Sequence, residues 1–551
     1  MKWKAWGMVG AVHLALALFW TWPTGLSPAT VVPGAERTDL WDSLWSFWYV
    51  YQRVSHGQLP LHADGLLNHP DGGLLWVADP LNAVLMLPLL TVGSLPLAWS
   101  LLVLLHQVFA GVASYGLCRE LSGSDRAAWL GSVVYASAPL MLSHIHNGAS
   151  EAVGMGWLAA AAWALWRLRS GVGGIGLAAG LVGLCAIGQW YAGVSVGLLA
   201  LMLAVDAGLA GEKDRSKRLL LSLALGMVVA APGAAISLWA STTEGNLVGI
   251  KAAKELNSVR RTIGPADPVG FFVGGDYRSP DFRELSRYGE EYIHCTYLGW
   301  AAILASLLGL ASPRRRKGGG LWLAVLLVGM ILAMGPVLAR FGEPVILPGR
   351  RAIPLPYLLL EKLPGFSSLS LLWRLSQLSV LALAVLATKG IAGHRRENWL
   401  VPCFVLAFLG EVRFLSPMAG KPDHTEIQDQ EPLLALRDAP DGAVMNFPIV
   451  GGRAYLYEQT VHQKVLAGTL NFPNNKASMA VWRAALRNKD APPAELRAEV
   501  SAAAESVGVR YLVVHIDPMA RPDQHDIAVR AIKEAFTPLS EIPSLKIYAL
   551  W

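Results

Sequence analysis

The sequence predicts a mostly α fold: a polytopic transmembrane helical bundle of about eleven spans plus one juxtamembrane helix, followed by a small extracytoplasmic α/β domain. Three observations predict it. Over 551 residues the hydrophobic fraction is 53% and the charged fraction only 16%, where a soluble protein of this length carries about 25%. The deficit is uneven, because apolar runs near the roughly 20 residues that cross a bilayer alternate with short polar links up to about Pro417. Beyond Pro417 the composition is that of an ordinary globular domain.

The first run, 5–26, follows Met-Lys-Trp-Lys and resembles a signal peptide, but Trp20, Trp22 and Pro23 stand where small residues would mark a cleavage site, so it reads as an uncleaved span. Further spans are read at 97–117, 127–142, 152–168, 172–188, 190–209, 219–240, 296–311, 319–338, 373–391 and 398–416. Basic clusters fall in alternate links: Lys2/Lys4, Arg119/Arg126, Arg167/Arg169, Lys213/Arg215/Lys217/Arg218, the run Arg314 to Lys317, and Arg395/Arg396. The positive-inside rule places these links and the N-terminus in the cytoplasm. The stretch 80–95 is short and carries Pro88 and Gly93. Counted as a crossing it would invert every later cluster, so it reads as a helix on the outer leaflet. The division is then 1–416, membrane domain with external loops 27–96, 241–295 and 340–372, and 417–551, extracytoplasmic domain. In the latter, 443–449, 509–516 and 545–550 are β-rich, and 476–486, 493–507 and 524–536 are helical in composition.

The net charge of +6 is dispersed as orientation signals, which argues against nucleic acid. The four cysteines lack paired spacing, so neither a disulfide framework nor a zinc site is indicated. Gly171-Val-Gly-Gly-Ile-Gly176 opens a span and reads as helix packing rather than a phosphate loop.

Candidate chemistry concentrates in the external links. In Arg37-Thr-Asp-Leu-Trp-Asp-Ser-Leu-Trp-Ser-Phe-Trp48, read as a helix, Asp39, Asp42 and Ser46 share one face and Trp41, Trp45 and Trp48 another. Tryptophans anchor at headgroup level, which would set the carboxylates beside the head of a lipid-linked substrate; the ordinary use is solvated, helix-capping Asp. Asn68-His-Pro-Asp-Gly-Gly73 is a turn, and His69 and Asp79 are candidates for a polar site. Ser143-His-Ile-His-Asn-Gly-Ala-Ser-Glu151 puts His144, His146 and Glu151 at the mouth of the bundle, where burial is expensive, against a plain polar surface link. Gln189-Trp190-Tyr191 reads as an interfacial anchor, with Tyr191 a candidate contact. Glu290-Glu291 is a second carboxylate pair, and Arg350, Arg351 and Arg374 are placed to grip a phosphate, though single basic residues commonly snorkel.

With these motifs the chain resembles the GT-C superfamily of membrane glycosyltransferases, in particular its YfhO-like members. The resemblance rests on Asp39 followed by Trp45 and Trp48, Asn68 to Gly73, Ala136-Ser-Ala-Pro139 with Ser143-His144, and Trp190-Tyr191. Glu291 ahead of Tyr297-Leu-Gly-Trp300, Leu363-Pro-Gly-Phe366 leading to Trp373-Arg374, Phe447-Pro448 and Tyr457-Glu-Gln-Thr-Val-His462 complete it. It implies an inverting membrane enzyme that moves a hexosyl or pentosyl group from a polyprenyl-phosphate donor to a glycan, lipid or protein of the cell envelope, outside the inner membrane. It carries a catalytic role to Asp39, with Asp42 as the alternate; His69, Asp79, His144, His146, Glu151, Tyr191, Glu291, Arg351 and Arg374 stand beside it as substrate-binding candidates read from their own chemistry and placement. Some members use a divalent cation, Mg²⁺ or Mn²⁺, and others none; no motif here decides, and no nucleotide is expected. The competing reading is a transporter or flippase of lipid-linked glycans, which would place ionisable residues at mid-membrane depth.

Overall fold

The computed structural model describes residues 2–551 except 78, 244, 248–260, 262–263, 275–290, 311–317, 341–342, 350, 364, 419–421, 428–429, 449–452, 473 and 517–523. Glu290, Arg350, Pro364, Ile449 and the basic run Arg314 to Lys317 lie outside the described residues.

Among the described residues five helices are, by length and composition, long and apolar enough to cross a membrane: Leu95–Ser122, Asp125–His146, Trp190–Leu209, Lys213–Ala240 and Leu372–Ile391. Shorter apolar helices occupy Ala5–Trp20, Pro80–Leu90, Ile175–Gly188, Trp300–Gly309 and Gly319–Ala333. With Gly156–Arg169 and Glu397–Phe414, a helix lies within each of the apolar runs read as spans. The Pro80–Leu90 helix starts where Asp79 accepts a hydrogen bond from the Asn82 amide, with Pro80 in its first turn. Asp125–His146 is broken at Ser137–Ala138, ahead of Pro139.

Close helix contact rests on particular glycines. A Cβ on Gly390 would stand 1.9 Å from the Ala305 carbonyl oxygen, and one on Gly226 would be 2.6 Å from Val182, so these backbones approach as small-residue membrane interfaces do. The 171–176 glycines do not serve this purpose. Gly171 turns the chain at φ +82° and Gly173 sits against the Leu168 backbone, while Cβ atoms on Gly174 and Gly176 would meet nothing within 4 Å. The packing role falls to Gly183 and Gly226, a turn or more inside their helices, where the backbones converge.

The C-terminal segment forms a four-stranded sheet, Ala443–Phe447 beside Val509–His515, then Leu545–Ala549 and Pro538–Ile542. The first pair is parallel and the rest antiparallel. The period-two alternation of strands splits its side chains. Ala443, Met445 and Phe447 pack with Trp482, Leu496 and Ile532 of three covering helices, Lys476–Arg487, Pro493–Ser506 and Gln524–Ala535. Val444, Tyr511 and Val513 face the other way and join the same apolar core as the bundle. Between sheet and bundle lies the Ala454–His462 helix, packed on the Leu40–Ser55 helix. A second tie is the antiparallel pairing of Val31–Pro33 with His424–Glu426.

That sandwich relocates the tryptophan stripe. Trp41, Trp45 and Trp48 are 4%, 0% and 9% exposed, so they are not headgroup anchors. The Trp45 indole donates to the Gln459 side-chain oxygen at 2.7 Å, and Trp41 packs on the Tyr457 ring. The stripe glues the first long loop to the tail, a protein surface that nothing in the local pattern distinguishes from a lipid surface.

A candidate active site at the junction of bundle and tail

The carboxylate pair is placed by the start of the Leu40–Ser55 helix. Asp39 occupies its N-cap position, but the side chain makes no capping bond and is left for other partners. The helix start is pinned to the 147–150 segment instead: the Asp39 amide donates to Asn147 O at 3.1 Å, and Ser43 Oγ donates to Gly148 O at 2.7 Å. Gly148, at φ +59°, is required there, because a Cβ would stand 2.5 Å from the Leu40 Cα. The 143–151 link is therefore no polar surface; His144 is 0% and His146 3% exposed, since the first loop and the tail close over it.

Asp39 Oδ1 accepts from the Tyr292 hydroxyl at 2.6 Å and from Arg453 Nη1 at 2.9 Å. The same Nη1 lies 3.3 Å from Asp42 Oδ2. Asp42 Oδ1 is buried with no hydrogen-bond partner. Burial pushes the Asp42 carboxyl up to about 7, Arg453 pulls against it, and the negative charges of Asp39 and Glu151 add to it. A carboxyl poised there exchanges protons near neutrality.

Beside this pair, Glu151 forms an ion pair with Arg374. Arg374 is 6% exposed and lies over the rings of Tyr191 and Trp373, at 5.7 and 5.9 Å; its Nε is buried without a hydrogen-bond partner. Arg374 also feels the charge of Asp39, so the two clusters form one electrostatic unit. Tyr191 Oη accepts from the amides of Ser370 and Leu371, at 3.1 and 2.7 Å, fixing the segment that delivers Arg374. Glu151, Gln189, Tyr191 and Arg374 close the polar end of a cavity of about 270 Å³. Its other wall is Ala230, Gly233, Ala234 and Ser237 of the Lys213–Thr242 helix with Ile187 and Trp190. Gln189 keeps both side-chain atoms buried without partners.

The other expected site residues lie at varying distance from this unit. Asp79 is within reach of the Glu151 charge, and burial pushes it up to about 7 against its bonds from Asn82. His144 packs on the Trp373 ring at 5.1 Å with neither ring nitrogen hydrogen-bonded. His146 bonds Glu291 O at 2.7 Å and faces Asp423 at 3.5 Å, which locks two loops together. Glu291 is tied through its backbone, to Arg37 O and His146, with its side chain exposed. His69 follows Asn68 at φ 55° and docks against the tail, its Nε2 2.7 Å from where a Gly508 Cβ would be. Arg351 is exposed on a small hairpin with Ile346–Leu347. Sequence reasoning missed Arg453 and Tyr292. Arg453 lies 414 residues from Asp39, and no local pattern links the two. Only its place four residues ahead of the Tyr457 motif hinted at it.

A divalent cation does not fit these residues as they stand. Asp39 and Asp42 are occupied by a guanidinium, the cation a metal would have to displace, and among the described residues no three His, Cys, Asp or Glu side chains are grouped to hold a metal.

Helical bundle, capping α/β tail and a charged junction between them define a helix-rich protein, with helices long and apolar enough to cross a membrane. No protein-family model matches the sequence, and no curated protein matches it. Solved structures match it in fold. The Archaeoglobus fulgidus oligosaccharyltransferase, tethered with an acceptor peptide containing the NVT sequon, superposes at TM-score 0.50 with 12% identity, covering 93% of this chain and 69% of its own. The mycobacterial arabinofuranosyltransferase AftD superposes at TM-score 0.50 with 15% identity, covering 98% of this chain and 40% of its own. ArnT from Cupriavidus metallidurans, bound to undecaprenyl phosphate, gives TM-score 0.41 and 12% identity over 98% of both chains. The chain has the GT-C fold.

Proposed function

We propose that this chain is a glycosyltransferase that moves a sugar from a polyprenyl-phosphate donor to a cell-envelope acceptor, within the YfhO-like branch of the GT-C fold. In this reading eleven helices cross the inner membrane, the N-terminus is cytoplasmic, and bundle mouth and tail lie outside. The observation that carries it is the cavity whose apolar wall comes from the Lys213–Thr242 helix and whose polar end is Glu151, Gln189 and Arg374, in electrostatic contact with a carboxylate pair. An isoprenoid fits the wall and its phosphate fits Arg374, which keeps an unpartnered Nε.

The acceptor hydroxyl oxygen attacks the anomeric carbon, and the bond from that carbon to the phosphate oxygen breaks. The bonding electrons leave on the phosphate, whose growing charge Arg374 stabilises. The hydroxyl proton passes to a carboxylate. Asp39 is committed to Tyr292 and Arg453, whereas Asp42 titrates near neutrality, where a general base works best; Asp42 takes the proton and Asp39 holds the pair in register. Attack from the face opposite the phosphate inverts the anomeric centre. The sugar, hexose or pentose, and the acceptor, glycan, lipid or protein, are what the assay identifies.

Transfer from defined polyprenyl-phosphate sugars by the purified protein, read by mass spectrometry of the product, tests the reading. Loss in Asp42→Asn and Asp39→Asn with wild-type folding supports it. Wild-type rates in both variants would remove the site, and no transfer with any donor but lipid movement between leaflets in vesicles would transfer support to a flippase.

A further inference from the structure

We infer that Arg453, supplied by the C-terminal segment, stands in the place of a metal ion: its guanidinium neutralises the Asp39–Asp42 pair, and sugar transfer at this site requires no divalent cation. The inference rests on the proposed glycosyl transfer for its activity arm, but not for its binding arm.

Three observations carry it. The first is geometry. A single guanidinium nitrogen, Nη1, lies 2.9 Å from one carboxylate and 3.3 Å from the other, so the cation sits between them rather than at the edge of one. The second is fixation. Arg453 directly precedes the Ala454–His462 helix, and that helix is pinned on both sides. Gln459 accepts from Trp45 and donates to Leu66 O at 2.7 Å, while Tyr455 donates to Thr469 O at 2.8 Å. The third is competition. Asp39 Oδ1 is also taken by Tyr292, and among the described residues no third His, Cys, Asp or Glu side chain is grouped with the pair to hold a metal.

A guanidinium differs from a metal in what it can do. It stays charged at every working pH and spreads that charge over a planar fork, so it does not activate a ligand hydroxyl by direct coordination. It holds the carboxylates close without quenching Asp42 as a base, because the second oxygen of Asp42 remains unpartnered. It also makes the tail part of the reaction centre, since removing the tail would leave two adjacent carboxylates repelling each other. Arg453 acts on the pair and touches no reacting atom in this reading; it is a positioning residue.

The test is Mn²⁺ binding by electron paramagnetic resonance on the full-length purified protein, alongside transfer with and without EDTA. The expected result is no stoichiometric Mn²⁺ in the wild type and transfer unchanged by EDTA. Arg453→Ala is expected to lose transfer by about 100-fold or more, as when one preorganised charge partner is removed, and to bind Mn²⁺ at the released carboxylates. Arg453→Lys keeps a cation there and is expected to retain more transfer than the alanine variant, with thermal unfolding confirming that both fold. A wild-type Mn²⁺ site abolished by Asp39→Asn, or transfer abolished by EDTA, would overturn the inference. Silence of Arg453→Ala towards Mn²⁺ would remove the claim that the guanidinium stands at a cation position. Failure of all donors would sink the glycosyltransferase reading, while the Mn²⁺ measurement would still decide this one.

Discussion

Two of the carboxylates at the junctions of this bundle, Glu411 and Asp42, are used in opposite ways. Glu411, 8% exposed, accepts from the Tyr297 hydroxyl and from the amides of Trp300 and Ala301, the last two at 2.6 and 2.8 Å. Both its oxygens are spent on the N-terminus of the Trp300–Leu310 helix, where orphan amides and the helix dipole favour an anion. Asp42 has one shared bond from Arg453 and one buried oxygen with none. A fully satisfied buried acid is structural, because nothing is left for a substrate to change. An under-satisfied one holds its pKa near neutrality and has a lone pair in reserve, which is what proton transfer needs.

The comparison breaks most readily by mutation. Asp42→Asn is expected to lower transfer by about 10²–10⁴-fold with little change in thermal stability. Glu411→Gln should show the reverse, a destabilisation of about 1–3 kcal/mol from the orphaned amides with transfer per folded molecule near wild type. Rate assays and thermal unfolding in the same detergent separate the two; matched losses of rate in both variants would end the distinction.

Next in size is Arg374→Ala, expected to reduce transfer by about 10–100-fold or more through the donor phosphate. Because the substitution also strands Glu151, a double-mutant cycle with Glu151→Gln is the sharper measurement. Coupling of the pair should appear in stability, and the loss of transfer should persist in the double variant.

A pH series sharpens the contrast further. Transfer should rise with pH to a plateau through about 7, where Asp42 deprotonates, and Asp42→Asn should abolish that limb. Stability should run the other way. Asp42 and Asp79 have folded-state pKa values raised to about 7, and Glu458 to about 8, by burial. The folded state therefore binds more protons than the unfolded one between about pH 4 and 8, and stability falls as pH rises across that window and levels off above it. Unfolding temperatures at pH 5.5 should exceed those at pH 8, and Glu458→Gln should narrow the gap. The smallest effect expected is Trp45→Phe, which removes one bond to Gln459 and should cost about 1 kcal/mol, with Asp39 and Arg453 kept in register.

The apolar runs and the alternating basic links made the helices legible, because bilayer thickness imposes a length that composition alone reveals. The tail's core strands and three of its helices were legible for a similar reason, period-two and helical patterns between turns. The Ala454–His462 helix was quoted as a motif but not read as an element, since its tyrosines serve a tertiary interface rather than a solvent-exposed amphipathic stripe. Part of the candidate site was legible too: Asp39, Asp42, Glu151 and Arg374 were named from charged or acidic residues in or beside the external links, and Tyr191 first as an interfacial anchor. Arg453 was not, because an arginine in a soluble-looking segment is ordinary until the fold carries it to the pair. His69 docks on the tail, and Glu291 and Arg351 are exposed, placements that sequence chemistry alone does not supply.

Asp39 and Arg453 stand 414 positions apart, and a ribosome makes the acids first. Throughout insertion of the helices between them the two acids wait without their counter-ion, and only the arrival of the late helix completes the constellation. A nascent chain that stalled before position 453 would carry both acids without the guanidinium that bridges them, so the junction is completed only by a late segment of the chain.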